Sequence, residues 1–127
     1  MEIKPEYHES QAWIDLSQSG MPYFRTGSRE ICTPAPMDTD VDFVVLDVKS
    51  NGKFEHNGFI ATNDETSNEY GETDFETYRR GEVNLIVVNT WEQFKAWRAA
   101  TAAAKQMNLT DKSKRIALFQ GILYGNW

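Results

Sequence analysis

Gly27-Ser28, the eleven residues 29–39, and then Asp40-Val41-Asp42-Phe43-Val44-Val45-Leu46-Asp47-Val48 form the stretch that decides the fold. From Val41 onward it is β-branched and largely apolar, the composition of a strand covered on both faces. A strand alternates its side chains, so Asp40 and Asp42 project together, about 6.5 Å apart along the backbone, while Val41 and Phe43 point the other way. Two bare carboxylates so placed repel each other. A divalent cation removes the conflict: paired aspartates on a rigid strand suit Mg²⁺ or Mn²⁺, which in turn hold phosphates. A calcium loop also begins Asp-x-Asp-x-Asp, as in Asp38, Asp40 and Asp42. Here Phe43 stands where that loop needs Gly, and Lys49 where it needs Glu, which excludes it.

Upstream, the pattern predicts a helix over 6–18, with Pro5 near its start, Trp13, Ile14 and Leu16 as its apolar side, and Ser19-Gly20 as its stop. Met21–Thr26 is expected to be a short strand leading into Gly27. Pro34 and Pro36 exclude a regular long helix over 29–38. Downstream, Ser50-Asn51-Gly52 reads as a turn or helix start, with Phe54 and Phe59 packing beneath it. Residues 63–76 carry six acids and no base, and read as a surface loop. Val83–Val88 is a second strong strand. Thr90 and Gln93 form a capping box for a helix over 91–108, with Phe94, Trp97, Thr101 and Ala104 on one stripe and Trp91 expected in the core beside them. Thr110 is expected to cap a last helix, 111–124, with Ile116, Phe119, Ile122 and Leu123 inward and Gly125 as its stop. The order helix, strand, Gly-Ser turn, strand, irregular insert, strand, helix, helix gives an α/β or α+β fold. Its expected form is a small mixed β-sheet with helices packed on it, in one domain spanning 1–127.

With 127 residues, 40% hydrophobic and 25% charged, the chain has the composition of a globular domain. A net charge of −6 argues against a nucleic-acid duplex as the main partner, without excluding a small anion held through a metal. Cys32 is the single cysteine and His8 and His56 the two histidines, so no internal disulfide and no Cys/His zinc centre is expected. Cys32 has no His beside it in sequence and reads as a small structural residue. Met1 to Glu9 holds no apolar signal core, and no run has the length of a membrane span. The expectation is a cytoplasmic protein without a membrane partner.

Gly27-Ser28, the gap, and Asp40-Val41-Asp42-Phe43 resemble the signature of the DNA polymerase β-like nucleotidyltransferase superfamily. The resemblance covers roughly residues 20–90. The later segments Tyr78-Arg79-Arg80-Gly81, Asn84-Leu85-Ile86-Val87 and Lys114-Arg115-Ile116-Ala117-Leu118-Phe119-Gln120 are similar to small, often phage-encoded members that consist of little more than the catalytic core. The resemblance implies a nucleotidyltransferase-like core that moves an NMP group from an NTP to an acceptor, which is a nucleic acid, a protein or a small molecule. It implies Asp40 and Asp42 as ligands of Mg²⁺ or Mn²⁺, and Gly27 and Ser28 as holders of phosphate. It implies a third carboxylate on a later strand, where this chain has Asn84; Glu82, two residues earlier, is the nearest acid. An amide oxygen ligates a hard cation but accepts no proton, so the enzyme reading has a rival: a degenerate member that binds a nucleotide or a protein partner. Arg29, Arg79 and Arg80 are the foremost candidate triphosphate contacts, with Arg25, Lys49 and Lys53 behind them, and Tyr78 is a candidate for stacking on a base. A protein acting only by interaction, for a phage-encoded chain in the host cytoplasm, is a third class, motivated by the acids of 63–76.

Overall fold

The computed structural model describes residues 9–35, 40–48, 54, 58–62 and 75–124. In chain order these form α1 (Glu9–Ser19), β1 (Tyr23–Thr26), α2 (Ser28–Ile31), β2 (Val41–Leu46), β3 (Ile60–Ala61), β4 (Glu76–Arg80), β5 (Val83–Val88), α3 (Trp91–Gln106) and α4 (Lys112–Tyr124). The strands make one sheet in the order β1-β2-β5-β4-β3. Its two central strands, β2 and β5, run parallel; every other pair is antiparallel. This is a mixed α+β fold of the expected class.

Both faces of the central strands are covered. Val44, Leu46, Ile86 and Val88 lie against Ile31 of α2, against Phe94, Trp97, Ala100 and Ala104 of α3, and against Phe119 of α4. Val41, Phe43, Val45, Val83, Leu85 and Val87 face Ala12 and Leu16 of α1, together with Phe54 and Phe59. Double coverage explains why β2 and β5 read as continuous apolar runs and stood out in the sequence. Phe54 and Phe59 are both buried, and the Phe59 amide donates to the Phe54 carbonyl at 3.0 Å.

The insert expected to be irregular instead supplies two strands, β3 and β4, and Glu76, assigned to the acidic loop, opens β4. Glu-Thr-Tyr-Arg-Arg has little apolar content, because β4 lies beyond the doubly covered centre. Its inward positions show only as the alternation of buried Phe75 and Thr77. A two-residue turn, Gly81-Glu82, joins β4 to β5, with Arg80 opposite Val83. Gly81 has φ +59°, and Asn108 is the only described non-glycine with positive φ, so the turn is of the II′ kind with glycine leading. Ser50-Asn51-Gly52, residues 63–74 and Gly125 lie outside the described residues, as do 6–8 of the first predicted helix. The first strand begins at Tyr23 rather than Met21, although the Pro22 carbonyl already accepts from the Leu46 amide at 2.9 Å.

The capping box of α3 forms as expected: Thr90 Oγ1 accepts from the Gln93 amide at 3.1 Å, and Gln93 Oε1 accepts from the Thr90 amide at 3.2 Å. Thr90→Ala is expected to destabilise the protein by about 1 kcal/mol, read as a lower urea midpoint with an unchanged slope. The stripe Phe94, Trp97, Thr101 and Ala104 is buried. Trp91 departs from expectation, being 52% exposed. It is the first residue of α3, one turn ahead of the covered stripe, and touches the core only through an edge-on contact with Phe94 at 5.6 Å. Asp111, not Thr110, caps α4, its Oδ1 accepting from the amides of Ser113 at 2.9 Å and Lys114 at 3.3 Å. Of the inner residues expected on α4, Phe119 is buried, Ile122 and Leu123 pack at its margin with Leu118, and Ile116 is half-buried.

Candidate functional site

β2 and β5 share one burial pattern, in which every position is buried except the second. Those two half-buried positions are Asp42 and Asn84, and the parallel register pairs them. The antiparallel registers extend the row: Thr26 of β1 lies opposite Asp42, and Arg79 of β4 opposite Asn84. Register partners share a face, so Thr26, Asp42, Asn84 and Arg79 cross four strands side by side. They lie on the face that α2 and α3 cover further along, at the end of the sheet where β2 and β5 begin.

Three side chains of this row, Asp42, Asn84 and Arg79, are joined with Asp40 in one network. Asn84 Nδ2 donates to Asp42 Oδ1 at 3.0 Å and to Asp40 Oδ2 at 3.3 Å. Arg79 grips Asp40 with both ends of its guanidinium, Nη2 on Oδ1 at 2.8 Å and Nη1 on Oδ2 at 2.9 Å, and Nη1 also donates to Asn84 Oδ1 at 3.1 Å. The orientation of the Asn84 amide follows from charge. Turned over, it would set its oxygen against two carboxylates and its N–H groups against a guanidinium.

Gly27 forms the other wall. It has φ +80° and ψ −176°, and a Cβ placed on it would lie 2.0 Å from Asp42 Oδ2. Only a residue without a side chain lets the β1–α2 corner close on that carboxylate. The Gly27 carbonyl accepts from the amides of Glu30 at 3.1 Å and Ile31 at 2.9 Å, which curls Ser28–Ile31 into α2 directly after the corner. The corner is fixed from behind. Thr101 Oγ1 donates to the Trp97 carbonyl at 2.8 Å, so the 2.7 Å contact between Thr26 and Thr101 runs from the Thr26 hydroxyl to Thr101. Lys105 Nζ meets Glu30 Oε2 at 2.6 Å, tying α2 to α3.

The remaining candidates divide. Arg29 is 13% exposed and ion-paired with Glu82 at 3.5 Å. Glu82 belongs to the type II′ turn rather than to the strand, and its carbonyl accepts from the Val41 amide at 2.8 Å, which places it alongside Asp40. Arg79 therefore joins the aspartates, and Arg29 and Glu82 flank them. Arg80 does not: it alternates with Arg79 to the opposite face, where its Nε would lie 3.3 Å from a Cβ on Gly58. Tyr78 also faces away, against Phe54 at 4.9 Å, and takes the packing role rather than base stacking. Arg25 turns to Glu30 of α2, its Nε 3.9 Å from Oε1. Asp38, Lys49 and Lys53 lie outside the described residues. Cys32 is buried, with Arg115 Nη1 at 3.5 Å from its Sγ.

Comparison with known proteins returned nothing. No family model, no curated protein and no solved structure matches this chain. Two carboxylates that converge on one N–H donor offer hard oxygen ligands of the kind a small divalent ion takes. Among the described residues, no cluster of three or more His, Cys, Asp or Glu is poised to hold a metal. No helix among them is long and apolar enough to cross a membrane. The pairing of Arg79 with Asp40 depends on β4, whose signal in the sequence was the Gly81-Glu82 pair standing just before the strong strand β5.

Proposed function

We propose that the chain is a minimal nucleotidyltransferase-like domain that binds an NTP with Mg²⁺ or Mn²⁺ and transfers its NMP group to an acceptor. The observation that carries the reading is the convergence of Asp40 and Asp42 on one amide nitrogen, with Asp42 closed against the Gly27 corner. Asp40 and Asp42 would hold the ion, whose contribution is to neutralise triphosphate charge and polarise the phosphoryl oxygens. Gly27 and Ser28 bring backbone close to the bound phosphates. Arg29 and Arg79 flank the carboxylates and match phosphate oxygens with planar donor forks. Asn84 accepts no proton, so deprotonation of the acceptor hydroxyl falls to Glu82, the remaining carboxylate of the group, once Arg29 turns to phosphate.

A second reading has its own observation. The Asn84 amide presents N–H groups, not oxygen, to both aspartates, which supports a degenerate relative that binds nucleotide without turnover. One pair of experiments treats both. Calorimetry with ATP and Mg²⁺ is expected to show binding that weakens at least about tenfold in an Asp40→Ala, Asp42→Ala double variant. Identical heats for the two proteins would end both readings. Transfer of label from α-labelled NTPs to a broad acceptor panel then separates the transferase from the binder.

A further inference from the structure

Asp40 does not wait with empty oxygens: both already carry the Arg79 guanidinium. A divalent ion approaching Asp40 meets a resident positive charge on the same two atoms. That charge is itself fastened, through Nη1, to the one amide that bridges both aspartates. From this geometry we infer that Arg79 is a positioning residue that acts as an internal counter-cation. It holds Asp40 and Asp42 in place without metal, competes with the ion, and yields Asp40 when a phosphate offers its guanidinium another anion. This rests on the reading of Asp40 and Asp42 as ion ligands and adds a consequence to it: ion alone binds weakly, and ion and triphosphate bind cooperatively.

The balance of the exchange is favourable on physical grounds. Arg79 and Asp40 are 44% and 39% exposed, so their pair is hydrated and only modestly stable. A phosphate group accepts the same bidentate fork with more charge, and releasing Asp40 restores a full carboxylate to the ion. Lysine keeps the charge but not the fork. The coupling is reciprocal, so an ion that displaces Arg79 frees it for phosphate, and a phosphate that takes Arg79 uncovers Asp40.

The test is the uptake of Mn²⁺ by the full chain, with free ion counted by electron paramagnetic resonance, first with Mn²⁺ alone and then with ATP present, each against a protein-free solution of the same composition. Arg79→Gln is expected to bind Mn²⁺ about tenfold more tightly than the wild type when no nucleotide is present, with Arg79→Lys between them. Arg98→Gln, which removes the same charge from an exposed position of α3 outside the Asp40–Asn84–Arg79 network, is expected to leave the affinity within about twofold, since an exposed charge that pairs with neither aspartate is screened. Circular dichroism confirms that each variant is folded. Equal Mn²⁺ affinity in wild type and Arg79→Gln, or an equal gain in Arg98→Gln, overturns the inference while leaving the ion site standing. Absence of Mn²⁺ uptake by every protein, with ATP and without, overturns the inference and the ion-binding reading together.

Discussion

Gly27→Ala is expected to destabilise the protein by about 3 kcal/mol or more, from two independent causes. The backbone at φ +80° and ψ −176° lies in a region that residues with a Cβ essentially never occupy. The added methyl would also sit 2.0 Å from Asp42 Oδ2, 2.9 Å from its Cγ and 3.0 Å from its Cβ. Asp42 has little freedom to retreat, because the amide of Asn84 holds its other oxygen at 3.0 Å. The corner has little freedom either, pinned as it is by the Thr26–Thr101 hydrogen bond and the Lys105–Glu30 ion pair. The causes separate in a double-mutant cycle. Asp42→Ala in the Gly27→Ala background removes the carboxylate clash but leaves the backbone strain, so it should recover about 1 kcal/mol relative to its effect alone. Urea unfolding followed by far-ultraviolet circular dichroism measures all four proteins. A Gly27→Ala protein within about 0.5 kcal/mol of wild type would contradict both the strained corner and its closure on Asp42.

That corner shows what the sequence makes legible. Strands β2 and β5 are buried on both faces, so their composition announces them without help from partners. The alternation that sends Asp40 and Asp42 the same way follows from local stereochemistry, and the structure brings both carboxylates to the Asn84 amide; the closure of Gly27 on Asp42 is a tertiary contact that the sequence does not show. The capping box at Thr90 is equally local. What escapes the sequence is whatever depends on a neighbour. β4 is a strand because β5 pairs with it, and its residues Glu76, Thr77, Arg79 and Arg80 carry no apolar signature. Its best signal was the Gly81-Glu82 pair, a two-residue hairpin turn standing immediately before a strong strand. Missing β4 hid two further facts. Strand alternation sends Arg79 and Arg80 to opposite faces, so only one of them reaches the aspartates. Glu82 is a residue of the hairpin turn, ion-paired with Arg29. Trp91 illustrates the same limit on a helix: periodicity puts it in line with Phe94, but coverage begins only one turn later.

The position that bears most on the proposed nucleotidyltransferase reading also offers the most informative substitution, Asn84→Asp. Without a divalent ion it removes the N–H donor shared by Asp40 and Asp42 and sets a third carboxylate beside them. Arg79 compensates only in part, since it is already committed to Asp40. The variant is expected to be less stable than wild type in a chelator by about 2–4 kcal/mol, the scale of a half-buried like-charge contact plus a lost charge-assisted donor. Millimolar Mg²⁺ should restore most of that loss. A ligand that binds only the folded state at a hundred times its dissociation constant contributes about 2.7 kcal/mol. Wild type, with a resident guanidinium and one fewer ligand, should show a much smaller rise in Tm with Mg²⁺. The same substitution supplies a proton acceptor where the amide has none, and transfer from an α-labelled NTP should rise on the order of 10²-fold or more. A variant whose Tm ignores Mg²⁺ and whose transfer matches wild type would argue that this row of the sheet binds no divalent ion. A variant with strong Mg²⁺-dependent stability but no transfer would assign the row to binding alone. In that case the degenerate reading, with Asn84 as the residue that holds two aspartates together without metal, describes the protein.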